Sequence, residues 1–256
     1  ILPFFFLSAT AGQLADKYHR DKIAKILKCI EFVLMLLTAV AVIFKFYYGL
    51  IIILFFMSIQ SAFFGPVKYS IIPQHLEECE LIEGNAIIDG ATYFSILLGT
   101  ILGAHITSPN ITVGILVFCS LLGMLSSFKI PPAPAPRPDL SMSFNIFKTI
   151  KITLKKISEI RSIYITILGL SWFWALGAVI LTQLYPMCSD LLGLSRNAVA
   201  VFMFIFSLGM AAGTFVCTKV MRGIVHPTFV PLSSIGIGIA TFFLYLFTKD
   251  YVTPDS

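Results

Sequence analysis

Charge is what this sequence has least of. Asp, Glu, Lys and Arg make up 12% of its 256 residues, about half of what a soluble globular domain carries. With 57% apolar residues and a mean hydropathy of +0.92, a water-soluble domain is excluded and an integral membrane protein implied. Cysteine pairing is missing too. Cys29, Cys79, Cys119, Cys188 and Cys217 are odd in number and scattered, which suggests neither a disulfide framework nor a zinc site. The acyl-transfer pattern His-x4-Asp is also absent, since His75 meets Glu80, and His19, His105 and His226 meet Ala24, Asn110 and Pro231. No glycine-rich phosphate loop or metal-ligand cluster is present. No catalytic residue, metal or cofactor is therefore expected. The net charge of +5 reads as membrane topology rather than nucleic-acid binding.

What the sequence has in quantity is long apolar runs. A bilayer core is about 30 Å thick and needs roughly 20 apolar residues to cross as a helix. The runs are continuous rather than alternating, which favours helices over a barrel. Spans are expected at about Ile26–Phe44, Leu50–Ile72, Ile82–Ile106, Val113–Phe128, Ile163–Tyr185, Val199–Val220 and Phe229–Phe247. Residues 1–11 read as the tail of a helix whose start is missing, so a fragment of a longer chain is expected. A polar hairpin follows from Gly12 to Lys22. If it is cytoplasmic, its side of the membrane also holds Lys129, Arg137, Lys148, Lys151, Lys155, Lys156, Arg161, Lys219 and Arg222. The opposite loops hold only Lys45, Arg196 and Lys249. The positive-inside rule sets that orientation.

Residues 129–161 stand apart. Pro131, Pro132, Pro134, Pro136 and Pro138 predict a stiff extended linker. Behind it, Phe144, Phe147, Ile150, Ile152, Leu154 and Ile157 alternate with Lys148, Lys151, Lys155 and Lys156. That pattern fits a basic amphipathic helix on an anionic membrane face, or equally a solvated loop that sets topology.

The stretch Phe63–Gln74 brings a glycine, two prolines and Lys68 to the end of an apolar run. An ionisable group within a bilayer usually marks a pathway or a paired site. Lys68 lies 18 residues beyond Leu50, about 27 Å along a helix, which places it near the cytoplasmic boundary. Two readings stand open there: snorkelling to the headgroups, or contact with a substrate phosphate or carboxylate. Asp89, roughly 10 Å into the next span, is at a depth that allows pairing with Lys68. Pro66, beside Gly65, predicts a kink that frees carbonyls. Gly99-x3-Gly103 and Gly209-x3-Gly213 permit close helix approach. Gln60, Ser61, Asn85, Ser171 and Gln183 either bond to a neighbouring helix or line a cavity. Trp172 and Trp174 are too deep for an interface belt and either wall a cavity or belong to the core. Glu31 is expected to pair with Lys28 or solvent, and Glu77, Glu78, Glu80 and Glu83 to form a solvated acidic turn.

Gly12-x-Leu14-x-Asp16-Lys17-x-x-Arg20-x-Lys22 resembles the signature between the second and third helices of the major facilitator superfamily, with His19 in place of the usual glycine and Asp21 interrupting the basic run. The resemblance implies an all-α major facilitator fragment of about helices two to nine of twelve. Residues 1–128 would belong to the N-terminal half, 129–161 would form the central cytoplasmic linker, and 162–256 would begin the C-terminal half. The strings Gln60–Gln74, Gly84–Ala86, Leu98–Gly103, Pro131–Pro134 and Ile167–Trp174 resemble the bacterial lysophospholipid transporters, including members fused to acyltransferase and acyl-carrier-protein synthetase domains. That resemblance implies a lysophospholipid, chiefly lysophosphatidylethanolamine, moved across the bacterial inner membrane for reacylation, without a cofactor. The implied partners are substrate, membrane lipids and a fused or separate acyltransferase. The substrate contacts expected are Lys68, Asp89, Gln60, Ser171, Trp172 and Trp174. The gating positions are Gly12, Asp16, Arg20, Gly65, Pro66, Gly99 and Gly103. A solute or drug exporter with Asp89 as proton carrier, and the membrane part of a multifunctional acyltransferase, remain the alternatives.

Overall fold

The computed structural model describes residues 2–106, 108–142, 145–221 and 229–249. Nine α-helices are found among the described residues: α1 (Leu2–Lys17), α2 (Arg20–Ile43), α3 (Tyr47–Ile71), α4 (Leu81–His105), α5 (Pro109–Ser127), α6 (Ile146–Glu159), α7 (Arg161–Pro186), α8 (Arg196–Met221) and α9 (Phe229–Lys249). Among the described residues there is no strand. Seven helices, α2 to α5 and α7 to α9, are long and apolar enough to cross a membrane. The expected all-α membrane architecture is what folds. Phe144 and Arg222 lie outside the described residues.

Helix starts precede the apolar runs. The first turn of α2 carries Arg20, Asp21 and Lys22, and Asp21 suits the positive end of the helix dipole. In α5, Pro109 opens the helix, where its missing N–H costs nothing. The turn between α1 and α2 is also tighter than the expected hairpin. Gly12 is a helical residue of α1, with open space where a Cβ would be, and the chain reverses over Tyr18 and His19. The helix α3 runs through Pro66 to Ile71, and Gly65 likewise faces no neighbour within 4 Å of a built Cβ.

The chain divides into two compact units, one of residues 1–77 with 106–167 and the other of 78–105 with 168–256. In the first, α2 packs on α3 and α5, and α1 packs along α3. Their shared core is Ala15, Ile23, Ala24, Leu27 and Val67, with Phe63, Phe64 and Ile71 against it. Alanines at 15 and 24 let the backbones approach, as small residues do in membrane bundles. At the other end of α2 and α3, Lys45 takes a left-handed φ of 53°, and the Phe46 ring fills the space a Cβ on Gly49 would need. Leu37, Val40, Ala41, Phe44, Phe46, Gly49, Ile52 and Ile53 line an apolar groove of about 450 Å³ there.

In the second unit α4 packs on α8. One contact is at Gly90, whose Cβ would lie 3.8 Å from Thr214 Oγ1, whereas Gly99, Gly103, Gly209 and Gly213 meet nothing within 4 Å. Gly90→Leu is expected to lower stability by roughly 1–3 kcal/mol through overpacking, and Gly99→Leu to leave it nearly unchanged. Thermal unfolding in detergent reads both. Leu184, Cys188 and Val199 form a smaller core where α7 ends and α8 begins.

Candidate functional site

The strongest concentration of polar contacts lies where α1 turns into α2. Arg20 is the hub. Its Nε donates to the Ala15 carbonyl at 3.0 Å, its Nη1 to the Ser70 carbonyl at 2.7 Å and its Nη2 to Asp16 Oδ1 at 3.5 Å. One guanidinium therefore joins the end of α1 to the end of α3, two residues from Lys68. The planar fork makes three divergent bonds that an ammonium would not reproduce.

The proline-rich stretch closes over this turn. In Pro131-Pro132-Ala133-Pro134 the only backbone N–H belongs to Ala133, because proline has none. That N–H donates to Asp21 Oδ1 at 3.1 Å, and the Ala133 carbonyl accepts from the Arg20 N–H at 2.9 Å. Gln74 Nε2 donates to the Pro134 carbonyl at 2.9 Å. Arg137 donates its backbone N–H to the Asp16 carbonyl at 2.9 Å, and its Nη2 lies 3.1 Å from Asp16 Oδ2. Ala133 is fully buried. The segment expected only as a spacer is therefore a strap, fastened to α1, to α2 and to the residues just after α3. A polyproline conformation suits this, since its carbonyls point outward and need partners.

Energies are uneven across the strap. Arg137 is 66% exposed, so its ion pair with Asp16 contributes little. Asp21 is buried, and its second oxygen accepts from Lys25 Nζ at 3.1 Å. A buried carboxylate with a backbone amide and an ammonium on it is costly to disrupt. Asp21, Gln74, Ala133 and Arg137 were not singled out from the sequence as contact residues. Asp21 stood out there only as a break in a basic run.

Gln60, 4% exposed, donates to the Leu27 carbonyl at 3.3 Å and to Glu31 Oε2 at 3.1 Å. Glu31 also holds Lys28 at 2.8 Å, and the Lys28 ammonium lies 4.5 Å from the centroid of the Phe64 ring. This polar group ties α2 to α3 inside the first unit. Lys68 sits half-buried in the last turn of α3, its ammonium 4.5 Å from the centroid of the Tyr69 ring. The preceding Val67 is fully buried in the core, so packing fixes the rotation of α3 at this point. In the second unit, Asp89 is half-buried on α4, one residue before the α8 contact at Gly90. Ser171, Trp172 and Trp174 lie on an exposed stretch of α7, the tryptophans 68% and 56% exposed. Asn85 bonds within its own helix, to the Leu81 carbonyl at 2.8 Å. Among the described residues no group of His, Cys, Asp or Glu is arranged to hold a metal ion.

A basic, strapped turn between two helices, in a chain with seven membrane-capable helices, narrows the family. The family model described as Major Facilitator Superfamily matches residues 1–254. The chain belongs to the major facilitator superfamily. This facilitator is 22% identical over 203 residues to the lysophospholipid transporter LplT of Photorhabdus laumondii, covering 77% of its own length and 49% of that protein. The lysophospholipid transporter LplT of Cronobacter sakazakii is 23% identical over 255 residues, covering 96% of the facilitator and 61% of the relative. That of Klebsiella pneumoniae is 24% identical over 173 residues, covering 64% and 43%. The facilitator chain spans about half the length of the curated relatives it matches. No solved structure matches.

Proposed function

We propose that this facilitator carries lysophospholipid, chiefly lysophosphatidylethanolamine, across the bacterial inner membrane by alternating access. The lipid would reach the cytoplasmic leaflet for reacylation by a fused or separate acyltransferase. The observation that carries this reading is similarity along 96% of the chain to a protein named lysophospholipid transporter. Residues 1–128 and 162–256 would belong to the two moving halves, joined through 129–161.

Chemistry supports the assignment. A lysophospholipid headgroup of this kind offers a phosphate anion and an ammonium, and the carrier needs an opposite charge for each. In this reading Lys68 takes the phosphate and Asp89 the ammonium. The Tyr69 ring beside Lys68 helps to hold the ammonium at the helix end, where the helix dipole also favours a cation. Gln60, Ser171, Trp172 and Trp174 are the further substrate contacts of this reading. Asp16 and Arg20 control the cytoplasmic closure.

The test is leaflet-resolved movement of labelled lysophosphatidylethanolamine by full-length protein in liposomes. The double variant Lys68→Ala, Asp89→Ala is expected to slow movement at least about tenfold, the equivalent of one charge-assisted hydrogen bond. Unchanged movement at normal expression would sink the assignment.

A further inference from the structure

The basic helix α6 uses only one of its faces on the protein. Thr149 is buried and accepts a hydrogen bond from Gln13 Nε2 of α1 at 3.3 Å. The Phe147 ring lies 6.3 Å from that of Phe6, edge to face. Beyond these anchors the helix is open. Phe147 and Leu154 are 73% and 58% exposed, and Lys148, Lys151, Lys155 and Lys156 are all exposed. Seven residues apart, Phe147 and Leu154 share one edge of the helix, and Lys151 lies between them.

Anchorage to α1 turns this pattern into a prediction. The helix α1 ends at the cationic Lys17, and Ala15 near that end packs in the same core as Val67 of α3. Phe6 lies eleven residues before Lys17 in α1, about 16 Å further from the charged end, within the apolar run Leu2–Leu7. The Phe147 ring is therefore anchored beside an apolar stretch of α1, away from its charged end. The lysines are carried on the same short helix, beside the apolar edge. Exposed aromatic and leucine side chains flanked by lysines, on an amphipathic helix, fit a surface of anionic phospholipid.

We propose that α6 is an anionic-lipid contact, with Phe147 and Leu154 entering the acyl boundary and the four lysines holding phospholipid headgroups of net negative charge. The assignment is independent of which molecule the carrier moves. Because Thr149 and Phe147 are bound to α1, the contact would also brace α1 against the leaflet.

Hydrogen exchange of the α6 amides tests it, using full-length protein in nanodiscs of phosphatidylcholine alone or of phosphatidylcholine mixed equally with phosphatidylglycerol. Exchange is expected to slow at least roughly tenfold in the mixed bilayer. That difference should vanish when Lys148, Lys151, Lys155 and Lys156 are all changed to Gln, while α2 stays protected as a control for folding. Equal exchange of the wild-type α6 in both bilayers would overturn the proposal, and so would a lipid effect that the lysine substitutions leave intact.

Discussion

Asp21→Ala is expected to release the proline strap and to lower unfolding stability by roughly 2 kcal/mol, the cost of leaving a buried amide without its charged acceptor. The carboxylate is the acceptor for Ala133 N–H, the only backbone donor in the Pro131–Pro134 string. Water cannot replace it while Ala133 stays fully buried, so the strap must lift for that amide to be solvated. Limited proteolysis should then cut within 129–142, where the wild type resists. Asp21→Asn keeps an oxygen for the amide and loses the charge facing Lys25. It should retain much of the protection, which separates the hydrogen bond from the ion pair.

Arg20→Ala is the more damaging change. It removes the donors to the Ala15 and Ser70 carbonyls and the cation beside Asp16, at a side chain only 12% exposed. Hydrogen bonds from a charged donor are worth about 1.5–3 kcal/mol each, and two of them hold backbone carbonyls here. The end of α3 loses its tie to α1, and Lys68 lies two residues from that tie. Transport and thermal stability should therefore fall together. Arg20→Lys should recover little, because a single ammonium does not span the divergent carbonyls. A variant that transports normally while melting at a lower temperature would separate the turn from the function.

The helices were legible in the sequence because each is an uninterrupted apolar run and the bilayer sets its length. The position of Lys68 in the last turn of α3 followed from rise per residue alone. The strap was not legible, because its bonds depend on which backbone groups proline leaves available and on a contact between Asp21 and Ala133, 112 residues apart. A faint signal was present. A lone alanine between prolines supplies one donor, and an aspartate sat out of pattern in a basic turn. The contact between α4 and α8 was not legible either, since Gly-x3-Gly describes a helix face without saying which face is used. Gly90, with no glycine partner at that spacing, is one point of contact. Periodicity read α6 as a basic amphipathic helix on an anionic membrane face, or equally as a solvated loop, but said nothing of its anchorage to Gln13 and Phe6.

The most direct measurement is leaflet-resolved movement of labelled lysophosphatidylethanolamine by the full-length protein in liposomes, set beside uptake of water-soluble compounds under an imposed proton gradient. The account predicts saturable movement of the lysophospholipid that depends on Lys68. No lysophospholipid movement, with proton-coupled transport of a water-soluble compound instead, would contradict it.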